Sequence, residues 1–273
     1  NSDFQPDWVW IKSRSGASNH NCSDSSRGAT KHLAQNISYQ EEVVSGVSAY
    51  NSDGFTVGSN GDANTAGATY VAWQWKANGG SVTTVGESGS NPGFTRQTNT
   101  TTGFSIIAYT GTGSNGTIAH GLPSTPEFII FKRRDAANVW ATWHQGIGDD
   151  YKLVLNETAA KDSDGAFMNS TLPTSTNITV GGASVNTNAD NGTYICYAFS
   201  PVQGYSKFGS YVGNGNADGT FIYTGFKPAF IMVKTTLVTD EWNIYDTKRS
   251  GFNSNNDALY ASSNVVEDAG STY

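Results

Sequence analysis

Apolar positions along the chain gather into short runs separated by Gly, Asn, Asp or Pro. The runs "FSIIAYT" (Phe104 to Thr110), "EFIIFK" (Glu127 to Lys132), "VWATWH" (Val139 to His144), "YKLVLN" (Tyr151 to Asn156) and "TYICYAFS" (Thr193 to Ser200) are rich in β-branched and aromatic residues. Such side chains pack well on a pleated surface, so these runs predict β-strands. Helical periodicity is nearly absent, and "NETAAKDSDG" (Asn156 to Gly165) has room for one turn at most. Several short strands in roughly 100 residues predict a β-sandwich.

The pattern repeats. "PDWVWIKSRS" from Pro6, "PEFIIFKRRD" from Pro126 and "PAFIMVKTTL" from Pro228 share a Pro, an aromatic two residues later, an apolar run and a Lys. Ahead of the second and third lie "FSIIAYTGTGSNGT" (Phe104 to Thr117) and "FGSYVGNGNADGT" (Phe208 to Thr220), each with Tyr-x-Gly-x-Gly and then Gly-Thr. A closing landmark, "AGATYVAWQWKA" (Ala66 to Ala77), matches "DNGTYICYAFSP" (Asp190 to Pro201). The expected architecture is therefore all-β, with tandem β-sandwich modules of about 100–120 residues, one complete and two partial. Residues 1–77 form a partial module without its first strand, and 78–93 form a Gly/Ser-rich linker. The complete module is 94–201, and 202–273 is a partial module without its last strands. The linker is either flexible or adds a strand at "SVTTV" (Ser81 to Val85). Unfinished modules and the absence of a starting Met suggest a piece of a longer chain. The alternative is that neighbouring subunits lend each other strands by β-augmentation.

Superposing the copies separates faces. Lys132 falls on Lys234, Trp140 on Trp242, Thr142 on Ile244, Trp143 on Tyr245 and His144 on Asp246. Strand side chains alternate, so Trp140 and Thr142 share a face, and their counterparts Trp242 and Ile244 mark it as core. Trp143 and Tyr245 lie on the other, more solvated face and are expected to be exposed, as the candidate ligand-binding aromatics; the alternative role for them is packing between modules.

Composition narrows the chemistry. Charged residues make up 14% of the chain, 31 residues are Gly, and the net charge of −7 with a pI near 5.0 argues against nucleic-acid binding. No apolar run approaches the ~20 residues of a membrane helix, and the first residues lack the pattern of a signal peptide. Cys22 and Cys196 fall in different copies and read as buried thiols, not as a disulfide. No metal or nucleophile motif surrounds His20, His32, His120 or His144. His120 gives way to another residue type in the third copy and reads as a turn residue beside Gly121. "GNGNADG" (Gly213 to Gly219) is a strand connection, not a phosphate loop, and neither "DSDG" nor "NADNG" fits a calcium loop. The frequent Asn-x-Ser/Thr triplets follow from composition. No catalytic residue, metal ligand or cofactor is expected.

The series "GFSIIAYTGTGSNGTIAHGLPSTPEFIIFKRRD" (Gly103 to Asp135), the strand "GATYVAWQWKA" (Gly67 to Ala77) and the run "NSDGFTVGSNGDANTAGATY" (Asn51 to Tyr70) resemble a repeated module of bacteriophage virion proteins. That module is frequent in the tail fibres and appendages of aquatic phages, including those of cyanobacteria. The resemblance spans nearly the whole chain, although "YTGFKP" (Tyr223 to Pro228) departs from the His-Gly-Leu turn. It implies a structural role on the virion surface, with no catalytic residues to carry over. A fibre or appendage would form homo-oligomers and contact other virion proteins. Its Asn/Ser/Thr-rich surface would suit a host-surface glycan. The other classes open to the sequence are a capsid or tail decoration protein without a ligand, and a bacterial adhesin or carbohydrate-binding module.

Overall fold

The computed structural model describes residues 2–249 and 257–268. The first module contributes β1 (Trp8–Ser13), β2 (Asn21–Asp24), β3 (Lys31–His32), β4 (Glu42–Val43), β5 (Val47–Asn51), β6 (Gly54–Val57), the single-turn helix α1 (Gly61–Asn64) and β7 (Tyr70–Trp75). The second contributes β8 (Thr83–Val85), β9 (Phe94–Asn99), β10 (Phe104–Thr110), β11 (Gly116–Ala119), β12 (Phe128–Arg133), β13 (Trp140–His144), β14 (Tyr151–Val154), β15 (Asp162–Ser163), β16 (Asn177–Val180) and β17 (Thr193–Phe199). The third contributes β18 (Phe230–Val233), β19 (Asn243–Asp246) and β20 (Leu259–Tyr260). The chain is all-β apart from short helical turns.

In the first two modules the Pro-aromatic run becomes the central strand, and in the third it is an edge strand among the described residues. In the middle module β12 lies between β13 and β17, with Phe128 opposite His144 on one side and Phe199 on the other. In the first, β1 lies between β2 and β7, with Trp8 opposite Asp24 and Trp75. In the third, β18 pairs β19 in the same register, Phe230 opposite Asp246. The complete sheet has the order β15-β14-β13-β12-β17-β10-β9-β8. Its outermost strand, β8, comes from the "SVTTV" run, so that stretch adds a strand instead of only linking modules.

Alternation gives every sheet two faces. On the middle sheet one face carries Phe104, Ile106, Phe128, Ile130, Trp140, Thr142, Tyr197 and Phe199. The opposite face carries Ile107, Tyr109, Ile129, Phe131, Trp143 and Tyr194. The second face is roofed by the β11–β16 ladder and the loop that leads into β16. Ile118, Ile178 and Val180 are buried there, and Phe131 meets Phe167 edge-on at 5.5 Å. The first module roofs the same face with the β5–β6 hairpin and α1, enclosing Val9, Ile11, Val47 and Ala63. The strands β6 and β16 both end in Thr-Val and are followed by Gly. A Cβ on Gly58 would lie 1.8 Å from Ser45 Oγ, and one on Gly181 would lie 1.7 Å from Ala166 O, so this turn has no room for a side chain in either copy.

The first faces of all three modules meet in one core. Trp8 stacks on Tyr197 at 4.4 Å, and Phe230 packs edge-on against Trp73 at 5.7 Å. Burial of such rings contributes about 2–3 kcal/mol each. The joints between modules recur position by position. Trp140 Nε1 donates to Ala34 O at 3.0 Å, and Trp242 Nε1 to Val154 O at 2.9 Å. Glu41 N donates to Arg134 O, Lys161 N to Thr236 O and Glu267 N to Arg14 O, at 2.8, 2.9 and 2.9 Å. Glu41, Lys161 and Glu267 are equivalent, each eight residues past Leu33, Leu153 and Leu259, which pair with Cys22, Thr142 and Ile244. The first module thus joins the second, the second the third and the third the first. The modules close a ring within a single chain.

The repeated lysines belong to this framework. Lys132 Nζ reaches Ser38 O across a joint at 3.2 Å, and Lys234 Nζ reaches Thr158 O at 3.1 Å. Burial lowers Lys132 to about 7 and Lys12 to about 8.

One expectation fails in the third module. Phe208 to Thr220, the counterpart of β10 and its turn, forms no strand among the described residues. In the middle module β10 pairs with β17, and the third module has no described counterpart of β17, so the run lacks a ladder to join.

Candidate functional site

The two aromatics singled out by the superposition do not form a site. Trp143 is 2% exposed, and its indole donates to Gly148 O at 2.8 Å. This corrects the expectation that it faces solvent. The period-two argument assumed one wet face, but β13 is interior to the sheet and both of its faces are covered. Tyr245 is half-buried on the equivalent face of β19, in another module from Trp143. Trp140 and Thr142 lie in the core, as the superposition indicated.

The remaining sequence candidates have structural partners. Cys22 and Cys196 are buried free thiols, both pushed up by burial. His120 is buried in its turn: Nδ1 accepts from Leu122 N at 3.0 Å, and the ring approaches Thr174 O. Gly121 follows with φ +69°, a conformation that favours Gly. Among the described residues no group of three His, Cys, Asp or Glu side chains is placed to hold a metal ion.

A different location combines accessible polar groups with an exposed ring. A cleft of about 120 Å³ in the first module is lined by Asn19, His32, Ala34, Ile37, Tyr39, Gln40, Glu42, Asn60 and Asp62. Local structure sets each polar group. Asn60 is the N-cap of α1, and its side chain accepts from Asp62 N at 3.0 Å, fixing the first turn. Asp62 Oδ1 in turn accepts from Asn19 N at 3.1 Å. Asn19 Oδ1 accepts from Asn36 Nδ2 at 3.0 Å, which ties this wall to the loop that carries Tyr39. His32 lies in β3, paired with Glu42 of β4, and its Nε2 approaches His20 O at 3.4 Å.

Burial is the largest influence on both ionisable groups at the floor. It raises Asp62, against the opposing pull of His32, and it lowers His32. Tyr39 is 62% exposed at the mouth. An aromatic ring beside amides and a carboxylate sets an apolar face next to hydrogen-bonding groups.

The equivalent loop in the second module, Asn156 to Ala159, lines an open cleft with Thr239 and Ser262 and carries Ala159 where the first has Tyr39. In the third module Val265 takes that place, 43% exposed. The ring is special to the first module. Superposing the copies had the signal to find it, since Tyr39 is an aromatic in one copy and small or aliphatic in the others. Asp62 carried no such signal, because its loop folds differently in the middle module.

A family model described as "Domain of unknown function (DUF7483)" matches residues 1–273. No curated protein matches the chain, and no solved structure matches it.

Proposed function

We propose a role for this chain from one premise, that it belongs over residues 1–273 to the family described as a domain of unknown function (DUF7483). The role is that of a structural protein on the surface of a bacteriophage particle, in a tail fibre or other appendage, where the first module holds a host-surface glycan. The phage assignment rests on the module resemblance along the chain. The glycan assignment rests on one observation: Tyr39 stands exposed over the Asn19–His32–Asn60–Asp62 floor. The three-module ring suits an appendage, because one chain supplies the rigidity that bundled copies otherwise provide. Homo-oligomers and contacts with other virion proteins remain part of the proposal.

A glycan array probed with the purified protein tests the ligand. We expect binding to a restricted set of neutral saccharides and a loss of roughly two- to tenfold in Tyr39→Ala, since stacking on an aromatic contributes about 0.5–1.5 kcal/mol. Asp62→Asn is expected to weaken binding as well. An array without signal would leave a decoration protein without a ligand as the reading. Immunogold labelling of particles separates the two: gold on thin projections fits an appendage, gold over the shell fits decoration, and unlabelled particles contradict both.

A further inference from the structure

Three equivalent side chains brace the residues that make the joints, and one of them reaches further. Asn36, Asn156 and Ser262 each lie three residues past the paired leucines Leu33, Leu153 and Leu259. Each accepts from the backbone N–H of an equivalent residue: Asn36 Oδ1 from His20 N at 2.8 Å, Asn156 Oδ1 from Trp140 N at 2.8 Å and Ser262 Oγ from Trp242 N at 3.1 Å. This shared bond needs only an acceptor.

The second polar group is used differently in each copy. Ser262 donates to Glu241, the residue just before Trp242. In the second module that place is Val139, whose side chain offers no acceptor, and Asn156 Nδ2 donates instead to Ser38 Oγ across the joint at 3.1 Å. In the first module the place is Asn19, and Asn36 Nδ2 donates to Asn19 Oδ1 at 3.0 Å. Asn19 is also a wall of the Tyr39 cleft, and its backbone N–H donates to Asp62 Oδ1 at 3.1 Å. Among the described residues that amide is the one hydrogen-bond donor to the Asp62 carboxylate.

We propose that Asn36 is the positioning residue of the Tyr39 cleft: it fixes the Asn19 side chain, holds the Asn19 amide on Asp62 and so sets the carboxylate that a ligand meets. This rests on the reading that the cleft binds a glycan. Asn36 is buried and does not line the cleft, so it acts through Asn19. Both ends of its amide are engaged, which gives it one orientation and removes the freedom that an exposed Asn19 side chain would keep.

The copies show how to separate the two roles. Ser262 demonstrates that a serine suffices for the shared bond. In Asn36→Ser the acceptor for His20 N stays, but the shorter side chain no longer reaches Asn19. Ser262 reaches Glu241 because Glu is one methylene longer than Asn. Asn36→Ser/Asn19→Glu therefore re-creates the pair of the third module.

The test is amide hydrogen exchange and carboxyl NMR on the whole chain, with urea midpoints alongside. In Asn36→Ser the amide at position 19 is expected to exchange about fivefold faster, the size of one hydrogen bond. Asp62 is raised mainly by burial, opposed first by His32, then by the Asn19 N–H and Lys12, with Glu42 adding to the rise. Loosening the Asn19 amide removes one opposing influence, so Asp62 should titrate higher than in the wild type. The urea midpoint should stay unchanged, and the double variant should restore slow exchange at position 19. Wild-type exchange and wild-type Asp62 titration in Asn36→Ser would overturn the proposal. So would a lower urea midpoint with no rescue of exchange in the double variant, which would make Asn36 a brace of the joint alone. A saccharide found on the array should bind Asn36→Ser about fivefold more weakly. An array silent for the wild type would remove the glycan reading, while exchange and titration still decide the role of Asn36.

Discussion

His20 stands where the other two modules have Trp140 and Trp242, and it performs the same linkage with different chemistry. Its ring is bonded by the carbonyls of Tyr260 and Ser263, the latter 2.9 Å from Nε2, while Nδ1 accepts from Trp10 Nε1 at 2.7 Å. The indole N–H requires an unprotonated Nδ1, so the ring is neutral with its proton on Nε2. Burial and the nearby Lys12 lower its pKa to about 3. With the folded value below the ordinary one of ~6.5, the unfolded chain binds the extra proton between those values. Stability from this joint is complete above pH 6.5 and is lost as pH falls towards 3. Urea midpoints measured from pH 7 to pH 4 are expected to fall more steeply in the wild type than in Trp10→Ile/His20→Trp. That double variant copies the Ile130–Trp140 arrangement and keeps the volume roughly constant. Equal slopes would contradict the assignment.

At the scale of elements, the joints are strengthened unequally. Glu41 accepts from Arg134 and from Arg27, whose side chain is fully buried and also bonded to Asp24 at 2.5 Å. The Arg14–Glu267 pair repeats the Arg134–Glu41 contact, while Lys161 meets Thr236 with no such pair. Glu41→Gln is expected to cost about 3 kcal/mol in chemical denaturation, because it leaves a buried guanidinium short of a charge partner. A loss below 0.5 kcal/mol would show the pair to be solvated. The strands themselves were legible in the sequence, as were the repeat, the central Pro-aromatic run and the Trp140 face, because period and composition act locally. The burial of Trp143 was not legible, since it depends on a roof that comes from β11, β16 and the loop leading into β16. Nor was the failure of Phe208 to Thr220 to form a strand, since its residue types suit a strand and only the missing partner forbids one. The cleft beneath Tyr39 joins loops some 40 residues apart along the chain, and local patterning is silent about such encounters.

The whole molecule is best understood as one core with three contributors. The middle sheet has a roof on one face, but its other face depends on Trp8, Trp10 and Trp242 from its neighbours. Separately folding beads would show private cores and thin interfaces. Here Trp8 alone touches Trp75, Phe104, Tyr197 and Phe199 across two modules. A rigid ring also gives the Tyr39 cleft a fixed orientation, as the proposed glycan role requires. The most direct measurement is native-state hydrogen exchange in rising denaturant, followed at β1, β12 and β19. The ring requires that amides of all three strands share one unfolding free energy and one denaturant dependence. Protection of β12 that persists after β1 and β19 have exchanged would contradict it, and would make the modules independent domains.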